Sequence, residues 1–233
     1  MKLVKIDACG NDFIAVNEND FRKLDVETIK QLCDRKRGIG ADGVISPLKS
    51  YSYDFQFKYI NYLGYDIPFC GHAIRCLTFY TYITNQVRKL EMNIITPIGP
   101  RKTIIREIEE KRAFIGLIFE NFYLGVRHYV MKVENVEKFD LESEKENFFK
   151  TSDEHFNIYS EVENGKISVR TWEYGRYREE LSCATGALAC VLDYNKDKNL
   201  SNIEVIPKSK KPIYIEILKD KAILWSYVQI VDI

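Results

Sequence analysis

The sequence has no excess charge of either sign: Lys+Arg 34 stand against Asp+Glu 34, for a formal net charge of zero. No run of about five like charges marks a basic arm or an acidic tail. Nucleic acid and anionic membrane surfaces are therefore not the expected partners. No apolar run approaches the roughly 18 residues of a membrane span. The opening Met1-Lys2-Leu3-Val4-Lys5 has neither an apolar leader nor a cleavage site, so the expected location is the cytoplasm. Histidine is scarce, with three residues, His72, His128 and His155, and the six cysteines contain no Cys-x-x-Cys pair. Ligands at knuckle spacing are thus missing, and no metal site is expected. Disulfide staples are not needed either, because 233 residues at 45% hydrophobic can bury a core without them. The cysteines are left as inert buried thiols or as thiols with chemistry to perform.

The hydrophobic period changes often along the chain. Alternation predicts strands over Lys2–Ala8, Phe13–Asn17, Val44–Leu48, Phe55–Ile60, Met92–Ile98, Lys102–Ile108, Ala113–Phe119 and Tyr129–Val133. Further strands are expected at Asn157–Val162 and Lys166–Trp172, joined through Asn164-Gly165 as a hairpin, and at Ile203–Ile206, Ile213–Ile217 and Ala222–Ile230. Asp25 is a candidate cap for a helix through about Arg37. Two strongly apolar helices are expected, over Cys70–Thr84 and Cys183–Tyr194, and a short surface helix over Leu141–Lys150.

The two apolar helices open alike, each on a Cys, then a small residue (Gly71 or Ala184), then a polar one (His72 or Thr185). Cys183 follows Cys70 by 113 positions, close to half the chain. This spacing predicts an α+β fold of two pseudo-symmetric halves, residues 1–112 and 113–233, with the last strand free to return to the first half. Each half would wrap mixed, mostly antiparallel sheet around one central helix, and the two helix N-termini would face each other across a cleft. A thiol at a helix N-terminus meets unpaired N–H groups and a dipole that favour thiolate, and small residues let a ligand carboxylate approach the same N–H groups. Cys76 and Cys190, inside the helices, read as core. The run Gly38-Ile39-Gly40-Ala41-Asp42-Gly43 fits a dinucleotide fingerprint by letter, but it follows a helix and precedes a strand. It is a helix stop and tight loop, and no nucleotide cofactor is expected.

With those residues in view, the chain resembles the diaminopimelate epimerase family. Cys9-Gly10-Asn11-Asp12-Phe13 resembles its G-N-D-F opening and Arg37–Gly43 its R-x-G-I-G-A-D-G loop. Asn61, nine residues before Cys70, matches the Asn of N-x-D-G-S. Val169-Arg170-Thr171-Trp172-Glu173 with Cys183-Ala184-Thr185-Gly186 resembles V-R-T-W-E-R-G followed by A-C-G-T-G. The resemblance implies a cofactor-independent epimerase, an isomerase that inverts an amino-acid α-carbon between two cysteines. One, as thiolate, removes the α-proton, and the other, as thiol, returns a proton to the opposite face. It implies Cys70, Cys183, His128 and Glu173 as catalytic residues. For substrate contact it implies Asn11, Asn61, Gly71, His72, Asn157, Tyr174, Ala184 and Thr185. The nominal reaction is LL- to meso-diaminopimelate, on the route to lysine and peptidoglycan precursors. The implied partner is a small-molecule amino-acid substrate, and a homodimer is compatible with the resemblance.

The departures from the pattern concern the far end of the substrate. The family's C-G-N-G is here Cys70-Gly71-His72-Ala73, closer to the C-G-H of proline racemases; G-N-P-H is Gly125-Val126-Arg127-His128; and E-R-G is Glu173-Tyr174-Gly175. Ala184 stands in place of Gly. An Asn and an Arg that hold the distal group are thereby lost, with Arg127 and Arg176 as candidate replacements. Racemisation of a different amino acid is the alternative on the same fold. Two other classes compete: a cysteine hydrolase using Cys70 with His72 or His128, and a non-catalytic amino-acid-binding module. The hydrolase leaves Cys183 unexplained, and the binding module leaves both cysteines so.

Overall fold

A computed structural model describes residues 2–140, 143–144, 148–149, 152–174 and 178–232. The chain resolves into two compact units: Met1–Ile118 with Ser226–Ile233, and Phe119–Trp225. Where a boundary at 112/113 was expected, the division falls after Ile118, and the chain's last residues join the first unit.

In the first unit the strands are β1 (Val4–Ala8), β2 (Asn11–Ala15), β3 (Gly43–Leu48), β4 (Phe55–Asn61), β5 (Glu91–Thr96), β6 (Gly99–Ile108) and β7 (Arg112–Glu120). Each pairs with the next, and β14 (Lys221–Val231) pairs with both β7 and β1. The result is an eight-stranded barrel. Two of its pairs, β2–β3 and β4–β5, are parallel and so need crossovers. The first crossover carries α1 (Glu18–Phe21) and α2 (Val26–Cys33); the second carries α3 (Gly71–Ile83). Every residue of α3 from Gly71 to Thr81 is buried, Arg75 included, as expected of a helix with no continuous polar face.

The second unit repeats this plan. Its strands β8 (His128–Lys132), β9 (His155–Glu163), β10 (Lys166–Glu173), β12 (Asn202–Ile206), β13 (Ile213–Ile217) and the start of β14 lie side by side, with the short β11 (Arg178–Glu180) against β10. The β10–β12 pair is parallel, and α4 (Ala184–Tyr194) is its crossover. Each apolar helix thus lies in a crossover, α3 between β4 and β5 and α4 between β11 and β12.

The local differences from expectation have local causes. The helix capped by Asp25, whose side chain accepts from Thr28 N, ends at Cys33 rather than near Arg37. Asp34 turns extended, and its carboxylate takes the N–H groups of Lys36 and Arg37. Gly38 then packs so tightly that a Cβ there would lie 2.0 Å from the Gln31 carbonyl oxygen. The Asn164-Gly165 hairpin forms, but only Gly165 is left-handed, at φ +82°, and a register shift follows at Lys166/Ile167. In the β1–β2 turn both central residues, Cys9 (φ +55°) and Gly10 (φ +90°), are left-handed, so Asn11 and Asp12 already belong to β2. The surface helix expected over Leu141–Lys150 falls mostly outside the described residues. No helix among those described is long and apolar enough to cross a membrane.

Candidate active site

In the first unit, Cys70 is the N-cap of α3, extended at φ −154° and ψ 116°, with no side-chain capping hydrogen bond. It is half-buried, whereas Cys76 below it in the helix is fully enclosed. Gly71 and His72 form the first turn and are buried. The Gly71 carbonyl accepts from Arg75 Nε at 3.1 Å, and His72 Nδ1 lies 2.7 Å from Arg75 Nη2. Arg75 itself is fully buried and donates to Ser226 Oγ at 2.7 Å. Asn11, at the start of β2, is buried. Asn61 closes the loop ahead of α3: its Oδ1 accepts from Leu63 N at 3.1 Å and Tyr65 N at 2.9 Å. Both lone pairs of this side-chain oxygen are therefore used within the loop.

In the second unit, Cys183 is the N-cap of α4, extended at φ −129° and ψ 121°. Its Sγ accepts from Gly186 N at 3.4 Å and sits 3.5 Å from Thr185 Oγ1. Burial pushes the thiol well up, and the nearby, hydrogen-bonded Glu173 carboxylate pushes it further. The contacts from Thr185 and Gly186 only partly oppose this. Cys183 is thus held as a thiol, hydrogen-bonded with the Glu173 carboxylate. Ala184 and Thr185 are buried in the first turn.

Asn157, on β9, is completely enclosed and organises the floor of this region. Its Oδ1 accepts from Thr171 Oγ1 at 2.9 Å. Its Nδ2 donates to the Tyr129 and His155 carbonyls, both at 3.0 Å, and contacts His128 Nδ1 at 3.1 Å. An amide nitrogen only donates, so Nδ1 of His128 accepts and the ring proton sits on Nε2. That Nε2 is buried with no hydrogen-bond partner. The His155 ring stacks on His128, centroids 5.1 Å apart and 27° from parallel. Burial first, then the neighbouring His155, lower the His128 pKa to about 3, against the Asn157 contact. His128 is therefore a neutral N–H donor near neutrality, not a cation.

The expected result is an imidazole that stays neutral from pH 8 to pH 4, read from its ring-carbon NMR shift. A midpoint near the ordinary value of about 6.5 would overturn it. The sign for stability follows. Between about 3 and 6.5 the unfolded chain binds a proton that the folded chain refuses, so this group's contribution is complete above 6.5. It is lost as pH falls through that window, by on the order of 1.4 kcal/mol per pH unit.

Within the first unit the structure brings Cys70, Gly71 and His72 together; within the second it brings Cys183, Ala184, Thr185 and Glu173 together, and Asn157 with His128. Tyr174 stands half open beside Phe149, ring centroids 6.2 Å apart. Arg127 is exposed and ion-paired with Asp153, whereas Arg176 and Gly175 lie outside the described residues. Sequence reasoning passed over Arg75, Thr171 and His155. Arg75 did carry a signal, as the one charged residue in the otherwise uncharged helix Gly71–Ile83. Thr171 and His155 carried none.

A family model described as diaminopimelate epimerase matches residues 3–116. The diaminopimelate epimerase of Campylobacter lari is 30% identical over 95% of this chain and 93% of its own length. Among solved structures, a phenazine biosynthesis protein of the PhzF family from Enterococcus faecalis superposes with a TM-score of 0.71 at 14% identity, over 99% of this chain and 96% of that one. A hydroxyproline epimerase from Agrobacterium vitis, with bound trans-4-hydroxy-L-proline, gives a TM-score of 0.65 at 11% identity, over 98% and 90%. At those identities the structural matches speak for the fold.

Proposed function

The chain belongs to the diaminopimelate epimerase family and is an amino-acid epimerase independent of pyridoxal phosphate, and from that premise we propose that Cys70 and Cys183 form its two-base pair. Diaminopimelate, converted from the LL to the meso form as a precursor of lysine, is the nominal substrate. The reaction runs in the cytoplasm, where thiols stay reduced.

The observation that carries this reading is the repeated helix start. In each unit a cysteine caps the crossover helix, and a small buried residue follows it. The first-turn N–H groups are placed to hold a substrate carboxylate and the negative charge that spreads onto it when the α-proton leaves. A thiolate on one face takes that proton, and the thiol on the other face donates its own. Inversion leaves the two sulfurs with exchanged protonation states, and solvent resets them. Glu173, hydrogen-bonded to Cys183, keeps that sulfur protonated until it donates to the α-carbon, and His128, neutral, offers Nε2–H as a hydrogen-bond donor.

A specific observation favours a second substrate. Val126 and Tyr174, 40% and 43% exposed, occupy positions where the family places an Asn and an Arg, and Arg127 is engaged by Asp153. A distal carboxylate would find no bidentate cation at these positions, so an amino acid with an uncharged side chain suits these residues better. The test is α-proton exchange in D₂O across the L-amino acids with LL-diaminopimelate included. Exchange with inversion is expected for at least one of them. Diaminopimelate leading the panel supports the nominal substrate, and a neutral amino acid leading it supports the second. No exchange with any member overturns the proposal.

A further inference from the structure

Arg75 is the largest fully buried side chain among the described residues. A guanidinium cannot shed its charge inside a protein, and enclosing an unmatched ion costs several kcal/mol. Such a group is ordinarily met by a carboxylate. Here its hydrogen-bond partners are the Gly71 carbonyl, Ser226 Oγ, His72 Nδ1 and the Cys9 side chain, none of them a carboxylate. Burial works most strongly against its charge, and the side chains of Cys9, then Cys76 and Cys70, act the other way.

The three thiols are not equivalent. Cys76 lies in mid-helix with no exposure, its Sγ directed at the Ile6 carbonyl at 4.0 Å. Burial pushes it well up, and Asp7 on β1 adds to that. Cys9 is also enclosed, in the left-handed turn between β1 and β2. Only Cys70 combines partial exposure with a helix N-terminus, where the dipole acts in the same direction as the guanidinium.

We propose that Arg75 is a positioning residue whose buried charge holds the Cys70 sulfur as the thiolate of the resting protein. This rests on the two-cysteine reading and deepens it. With Cys183 kept as a thiol beside Glu173, Cys70 is the base at the start of the cycle and Cys183 the acid. Arg75 touches no substrate; it acts through Cys70, anchored at Gly71, His72 and Ser226.

The test is iodoacetamide labelling of the full chain from pH 5 to pH 10, with the rate at each cysteine read by peptide mass spectrometry. In the wild type, Cys70 is expected to label with a midpoint at least one pH unit below that of a free thiol, about 8.5. In Arg75→Gln, shown to be folded by circular dichroism, its rate at pH 7 is expected to fall at least tenfold as the midpoint rises. An unchanged Cys70 midpoint in that variant overturns the proposal. If the variant does not fold, the wild-type profile decides alone. A Cys70 midpoint at or above about 8.5, or a low midpoint carried by Cys9 in its place, overturns it. Labelling needs no substrate. A low, Arg75-dependent midpoint without α-proton exchange would therefore sink the epimerase assignment and leave this inference standing.

Discussion

Cys70→Ala and Cys183→Ala are each expected to abolish inversion while leaving the chain folded. Two-base chemistry needs a proton acceptor on one face of the α-carbon and a donor on the other, so one surviving sulfur has nothing to work against. A positioned acid or base contributes ~10²–10⁴-fold, and more where two groups act as a unit. The single Cys→Ser variants separate the roles. A serine hydroxyl is a far weaker acid than a thiol, so each variant keeps at most slow, one-sided exchange. The measurement is α-proton wash-out into D₂O from each enantiomer, with polarimetry for net inversion. An alanine variant that inverts at the wild-type rate removes its cysteine from the mechanism.

Gly186→Ala sets two effects against each other. Alanine in place of glycine ordinarily stabilises a helix by ~1 kcal/mol. Here the added Cβ would lie 2.3 Å from Asn157 Oδ1 and 2.8 Å from Thr171 Oγ1. Asn157 cannot swing aside, because it is fully enclosed and bonded to Thr171, Tyr129 and His155. The steric term wins, with an expected destabilisation of about 1–3 kcal/mol. The activity loss should be larger. Shifting Asn157 moves the partner of His128 Nδ1, and shifting the helix start moves Gly186 N away from the Cys183 sulfur. A displacement near 1 Å is worth ~10²-fold in rate. Urea midpoints and D₂O exchange measure the two effects separately, and a variant unchanged in both refutes the packing argument.

Much of the fold was legible because its signals are local. Alternation in β4 shows directly as inward Phe55, Phe57 and Tyr59, and both apolar helices begin where their cysteines do. Where local signals are weak, the reading fell short. The four-residue α1 is too short to carry a period, and the three-residue β11 exists only through its pairing with β10. The candidate site divides in the same way. Cys70, Cys183 and their small neighbours announce themselves by repetition. Asn157 and His128 needed the family resemblance, because a lone Asn or His on a strand has no distinguishing spacing. His155 and Thr171 were beyond reach, since they matter through parallel pairing of β8 with β9 and antiparallel pairing of β9 with β10. Arg75 was visible as an oddity, but its surroundings of sulfur and neutral acceptors come from three separate segments.

The ring of strands in the first unit closes only through Lys5–Ala8 against Val228–Val231. On the ribosome, β1 to β7 emerge as an incomplete barrel with two unpaired edges. The 107 residues of Phe119–Trp225 must then be synthesised before the closing strand appears. At ~5–20 residues per second that wait lasts on the order of 5–20 seconds, long compared with strand pairing, and exposed edges invite misassembly meanwhile. The second unit, contiguous apart from the crossing strands, has no such wait. Its sheet finishes as the first half of β14 docks on β13, and the same strand then runs on to seal the barrel. Synthesis order thus leaves the completion of both sheets to one last strand.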